Sequence, residues 1–379
     1  MPRKILQFAP FLGTEEYAAL RSCFELNWIT EGPRSEEFVT RLKALIGTPY
    51  AVLAPNGTLA LYLGLRALDI GRGDEVIVPD FTFMGSATAV EMTGATPVFC
   101  DIDPQTLQAD VSHFEKALTP HTRAIMPVHV YGMTCPIGPL VAFARAHRLL
   151  VIEDAAQAVG VRYQGQHAGT FGDVGSFSFF ADKTITTGEG GLVVTNDPRR
   201  YECLRLLRNQ GRMDRGSFVH PAMGYNFRLT DLQAAVGLVQ LGKLEQIVSR
   251  KQRLLALYQE RLRAIRQVRL ISVTPGSSYI PFRVAIYAER GPELMKFMET
   301  RGIQTRTFFY PLHRQPAFAY LRDDPARRDQ FDETRFPGAV YAFDNGVCLP
   351  SFPSLPIEDL HYVCDAIRDF YRVSPAARR

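Results

Sequence analysis

The chain predicts an α/β fold, with a mostly parallel seven-stranded sheet covered by helices and a smaller α+β domain after it. Three observations carry that reading. Residues 50–196 alternate short Val/Ile/Phe-rich runs with helical patterns, as parallel strands joined by crossover helices do. The 379 residues exceed the size at which one core usually suffices, and 46% of them are hydrophobic, enough to build two. Beyond residue 230 the pattern changes to one long amphipathic stretch and then to shorter mixed elements. The expected division is a large domain over 1–245 and a small C-terminal one over 246–379.

Taken in order, strands are expected at Tyr50–Ala54, Val76–Pro79, Pro97–Asp101, Ala124–His129, Leu149–Glu153, Gly175–Phe179 and Leu192–Thr195. Helical patterns lie between them, at Leu59–Leu68, Gly85–Thr93 and Pro139–Ala146. Thr230 suits a helix N-cap, and apolar residues then recur at Leu232, Val236, Val239, Leu241, Leu244 and Ile247, on towards Leu262. This stretch is expected to link the domains. The small domain follows as Val268–Val273, Tyr279–Tyr287, a helix Pro292–Arg301, Thr305–Phe309 and a closing helix Ile357–Tyr371. The tail from Arg372 to Arg379 is expected to fray.

Composition narrows the function classes. A formal charge of +4, from 43 basic and 39 acidic residues without a long basic stripe, gives no footprint for nucleic acid. The six cysteines are scattered, with neither the density of a secreted scaffold nor Cys-x-x-Cys spacing. No metal site is expected. The N-terminal apolar run is too short for a signal peptide, and no stretch reaches the roughly 20 apolar residues of a membrane helix. A cytoplasmic protein with reduced thiols is the expectation.

The chemistry centres on Lys183, in the segment from Ser176 to Gly191 between two strand-like runs. An amine acts as a Schiff-base nucleophile only when neutral, and burial or a nearby cation lowers its pKa from about 10.4. Asp154 stands just beyond the carboxyl end of the run from Leu149, where open α/β sheets place ligands. Gln157 follows within reach of the same place. Gly57 and Thr58 open a helix whose free N–H groups favour an anion. Ser178 alternates with Phe177 and Phe179, so it faces the opposite side of its strand. Phe83 is a candidate for stacking on a ring.

Each residue alone also has a plain reading: Lys183 a strand-end lysine, Asp154 and Thr58 turn and helix caps, Phe83 core. As a set, an amine, an acid and a phosphate cradle describe a site for pyridoxal 5'-phosphate.

The set resembles the fold type I, pyridoxal phosphate-dependent aminotransferases of the DegT type, which act on keto sugars attached to nucleotides. The likeness runs from Asn27-Trp28-Ile29-Thr30-Glu31-Gly32-Pro33 to Leu349-Pro350-Ser351, and the spacings of Asp154, Gln157, Ser178 and Lys183 follow the family pattern without a gap. The resemblance implies that Lys183 forms the Schiff base, Asp154 pairs with the pyridine nitrogen and Gln157 supports the ring oxygen. It gives the phosphate to Gly57, Thr58 and Ser178, and makes Phe83 the stacking aromatic.

It also implies an obligate homodimer with two shared sites, each completed by Asn226 from the neighbouring subunit. Trp28, Arg306 and His313 become the candidate sugar contacts, although Arg306 and His313 read equally as an exposed strand-end pair. The runs 177–191 and 309–313 are most similar to members that aminate C4 of a GDP-linked 4-keto-6-deoxy sugar, with L-glutamate as amino donor. A 3-keto sugar, a UDP- or dTDP-linked sugar, and a cofactor-binding regulatory protein without turnover stand as alternatives. Dehydratase relatives carry histidine in place of the lysine, so Lys183 removes that reading.

Overall fold

The computed structural model describes residues 3–212, 216, 218–325 and 327–372, so the tail expected to fray lies outside the described residues from 373 on. Seven strands form the main sheet: β1 Tyr50–Ala54, β2 Glu75–Pro79, β3 Thr96–Cys100, β4 Thr122–Ile125, β5 Leu150–Asp154, β8 Val174–Ser178 and β9 Gly191–Thr195. Between β5 and β8 a small hairpin adds β6 Arg162–Tyr163 and β7 Gln166–His167. The main sheet runs in the order β1-β9-β8-β5-β4-β2-β3. Its pairings are parallel except along β9, which is antiparallel to both β1 and β8.

Alternation along β1 shows how the sheet is covered. Ala51 and Leu53 face a cluster with Phe38, Leu42, Phe177 and Phe179, while Val52 and Ala54 face a second cluster with Leu61, Leu65, Ile152 and Val193. Helices lie on both faces, and β2, β8 and β9 are buried along their whole length.

The second sheet contains β10 Val268–Leu270, β11 Val284–Ala288, β12 Arg306–Thr307 and β13 Gly346–Leu349, in the order β10-β11-β13-β12 and antiparallel throughout. A separate core, built from Leu254, Tyr258, Leu294, Met298, Leu360 and Phe370, packs it against the helices Leu244–Leu262, Gly291–Thr300 and Ile357–Arg372. The amino end joins this part: Ile5 bridges Ile303, with Ile5 N donating to Gly302 O at 2.8 Å.

Several expected strands are shorter than their runs, Val268–Val273 and Thr305–Phe309 among them, and in two others proline is the reason. Pro127 cannot donate to a ladder, so β4 stops at Ile125, although His129 N still reaches Asp154 O at 2.9 Å. The run Tyr279–Tyr287 is interrupted by Pro281, and Ile280 N and Phe282 N bond Gly132 O and Tyr131 O instead. Thr230 does cap its helix, in a capping box with Gln233. The expected continuous helix is two, Asp231–Gly242 and Leu244–Leu262, broken at Lys243 (φ −92°, ψ 0°). No helix among the described residues is long and apolar enough to cross a membrane.

Candidate active site

A cleft of about 1040 Å³ opens at the carboxyl ends of β5 and β8, and the second sheet contributes its far wall through Arg283 and residues 306–310. Strand and helix ends, not strand middles, carry the polar side chains there. Lys183, Asp154, Gln157, Ser178, Gly57, Thr58, Phe83 and Arg306 all line it.

Asp154 ends β5 and is 6% exposed. Ser86 Oγ donates to its Oδ2 at 2.7 Å, and Ala156 N donates to its Oδ1 at 3.1 Å. Because Ser86 has one hydroxyl proton and gives it to Asp154, the 2.9 Å contact with Thr82 Oγ1 must be donated by Thr82. Three polar groups thus fix one carboxylate. The Gln157 carbonyl oxygen accepts from Tyr131 N at 2.8 Å, which orients the amide and leaves its Nε2 without a protein partner among the described residues. Tyr131 itself holds a left-handed backbone (φ 57°), a strained state for a bulky residue that this bond helps to fix.

Lys183 Nζ lies 3.8 Å from Asp182 Oδ1 and 4.6 Å from the centre of the Phe282 ring. Burial pushes the Lys183 ammonium below the usual lysine range; Asp182 and Asp154 pull it back up, and the Arg283 cation adds to the lowering.

The anion cradle is built by close approach. A Cβ on Gly57 would stand 2.8 Å from Ser178 Cβ, and one on Gly85 would stand 2.8 Å from Thr58 Oγ1, so only glycine lets these segments meet. The cap of the helix Gly57–Ala67 is Asn56, whose side chain accepts from Leu59 N at 2.9 Å. Thr58 is therefore not a cap, and its hydroxyl is spared for a ligand. The first-turn N–H groups of Gly57 and Thr58 have no helical acceptor either. Donors around a glycine-lined gap, an unengaged amide and a mostly shielded amine in the same cleft as a fixed carboxylate fit pyridoxal 5'-phosphate.

Three expected site residues lie elsewhere. His313 is a correction: it is 2% exposed, neither a cleft residue nor an exposed strand-end partner. Its N and Nδ1 both bond the Asp80 carboxylate at 2.7 Å, and its ring stacks on Phe336 at 4.4 Å. Burial raises the Asp80 pKa and the bonds from His313 oppose that rise. Trp28, whose indole donates to Glu31 O at 3.4 Å, stays on the surface outside the cleft. Asn226 is exposed, bridges Asn209 and does not line its own chain's cleft.

Ser86, Thr82, Tyr131 and Arg283 were not singled out from the sequence. Only Ser86 had a local signal, as a hydroxyl in the first turn of the helix Gly85–Thr93.

The chain is 38% identical over 368 residues to the GDP-perosamine synthase of Escherichia coli O157:H7, covering 96% of this chain and 98% of that protein. It is 39% identical over 323 residues to the GDP-perosamine synthase of Caulobacter vibrioides, covering 83% and 87%. Its fold matches the crystal structure of S. venezuelae DesV in complex with a ketimine intermediate, with a TM-score of 0.89, 35% identity and coverage of 97% and 100%. With a family model matching residues 10–368, the chain belongs to the DegT/DnrJ/EryC1/StrS aminotransferase family.

Proposed function

We propose that this pyridoxal 5'-phosphate-dependent aminotransferase moves the amino group of L-glutamate to C4 of a GDP-linked 4-keto-6-deoxy sugar, in the cytoplasm and as a homodimer with shared sites. The observation that carries the reading is one cleft lined by both a mostly shielded Lys183, 13% exposed, and a fixed Asp154. Similarity to two proteins named GDP-perosamine synthase supports the sugar and the nucleotide. Five of the six free cysteines are buried, which suits a reducing compartment.

Bound pyridoxal phosphate supplies an electrophilic aldehyde carbon and an electron sink for a carbanion. Lys183 Nζ would hold it covalently, and the same amine, when free, would take a proton from the donor's α-carbon and later give one to the sugar's C4. Asp154, with Ser86 and Ala156 N–H aimed at its oxygens, would keep a proton on the ring nitrogen. Gln157 Nε2 would donate to the ring oxygen and Phe83 would pack on the ring face. Gly57, Thr58 and Ser178 would hold the phosphate at the positive end of the helix Gly57–Ala67. Arg306, exposed at the cleft rim on β12, offers a cation to the nucleotide sugar.

Lys183→Ala is expected to remove the absorbance of the protein-bound cofactor adduct and to slow turnover by more than about 10³-fold. Retained turnover would overturn the assignment. Adding L-glutamate alone and following the cofactor spectrum separates an aminotransferase from a binding protein without turnover, which shows no change. A panel of 4-keto and 3-keto sugars on GDP, UDP and dTDP then tests the acceptor; preference for another nucleotide or for C3 would sink that part of the proposal.

A further inference from the structure

Beside Lys183 lies an ion pair that the chemistry above does not use. Arg283 Nη2 donates to Asp182 Oδ2 at 2.6 Å, and both side chains are only 9% exposed. The other arm of the same guanidinium, Nη1, donates to Gln7 Oε1 at 2.5 Å. One buried cation thus ties the amino-terminal segment, the loop that presents Lys183 and the start of β11. Asp182 Oδ1 makes no hydrogen bond although it stands 3.8 Å from Lys183 Nζ. The Phe282 ring has Lys183 Nζ and Arg283 Cζ each 4.6 Å from its centre.

The other charged groups around the amine come from several elements. Asp154 ends β5, and Glu189 and Arg306 line the same cleft. Lys251, on the helix Leu244–Leu262, sits behind residues 281–283 with its Nζ on Pro281 O at 3.1 Å and Phe282 O at 3.4 Å. Of these, Asp182 is the carboxylate adjacent to Lys183 in sequence, and one of its oxygens is already turned to the amine. An aspartate so placed, without another cation, closes on the lysine and holds it charged.

We propose that Arg283 is a positioning residue for the Schiff-base amine: by holding Asp182 Oδ2 it keeps that carboxylate off Lys183 Nζ and leaves the amine free to attack an aldehyde. This rests on the reading of Lys183 as the cofactor-binding lysine. Removing Arg283 acts twice in one direction, since it deletes a cation that disfavours the ammonium and releases an anion that favours it. The amine's pKa must then rise, and imine formation must move to higher pH.

The test uses the full-length protein stripped of cofactor. Pyridoxal phosphate is added across a pH series; where Nζ adds to the aldehyde and water leaves, borohydride hydride reduces the C=N bond, and mass spectrometry locates the modified residue. In Arg283→Gln the pH midpoint for labelling Lys183 is expected to rise by about one unit or more. Arg283→Lys keeps the charge and should stay near wild type, and Asp182→Asn/Arg283→Gln should return towards it. A folded Arg283→Gln protein with the wild-type midpoint overturns the proposal. If that variant does not fold, Asp182→Asn reads the same linkage, because losing the anion and freeing the cation should lower the midpoint; no shift there overturns it as well. Labelling of a residue other than Lys183 in the wild type instead refutes the assignment of Lys183 itself.

Discussion

At the residue scale, the acid of the site depends on a hydroxyl 68 positions away. Ser86 gives Asp154 a charge-assisted hydrogen bond at 2.7 Å. Such bonds contribute about 1.5–3 kcal/mol to stability, so Ser86→Ala is expected to lower the melting midpoint by a few degrees and to slow the glutamate half-reaction about tenfold or more. Stopped-flow spectra of the half-reaction check it, and a wild-type rate would show that Asp154 needs no such partner. Most of the cleft-lining set was legible in the sequence, because Asp154, Ser178 and Gly57 sit where apolar periodicity begins or ends, so pattern and position coincide. Ser86 and Arg283 were not, since each acts through a contact that only the tertiary fold creates. His313 differs for the opposite reason: a polar residue after a strand-like run reads as exposed, yet it lies inside the core with its N and Nδ1 on Asp80 and its Nε2 without a partner among the described residues.

At the element scale, the hairpin of β6 and β7 carries a buried histidine locked in one tautomer. His167 Nε2 accepts from Gly160 N at 2.9 Å and Nδ1 donates to Ala168 O at 2.6 Å, while burial drives its pKa down to about 4. The unfolded chain binds this proton near pH 6.5 and the folded chain does not. Stability from His167 is therefore full above pH 6.5 and is lost as pH falls towards 4, amounting to about 2 kcal/mol between pH 7 and 5. Denaturant midpoints of wild type and His167→Gln at the two pH values test this; an equal drop in both would assign the acid sensitivity elsewhere. The helix Pro33–Ile46 has local marks, Pro33 in its first turn and a left-handed Gly47 at its end, but its N-terminal cap is not local. Its N-cap is Gly32, and the cap is supplied by Asp231, whose carboxylate accepts from Gly32 N, Arg34 N, Ser35 N and Ser35 Oγ. A cap borrowed from 199 residues away leaves no local mark.

At the scale of the whole molecule, we infer a large domain over 1–245 and a small one over 246–379, with the amino end at Ile5 packed into the small domain's core, the cleft between their sheets and the helix break at Lys243 near the junction. Phe24, Leu26, Trp28 and Ile29 expose apolar surface in one short run, and Phe218, Val219 and Met223 in another close to Asn226. Such surface is unusual for a monomer and supports a second copy as its cover. If the partner supplies Asn226, mixing inactive Lys183→Ala with impaired Asn226→Ala chains should restore about a quarter of wild-type activity, through the one intact site of each mixed dimer. No gain on mixing and reassociation would place the two residues in separate sites. The amino-terminal stitch carries a practical warning. Ile5 is hydrogen-bonded to the 302–304 strand-like segment, and Gln7 receives one arm of the guanidinium beside Lys183. Trimming the chain past Gln7, as expression engineering often does to untidy leaders, would therefore loosen the reactive centre from a distance, whereas a purification tag ahead of residue 3 leaves that seam closed.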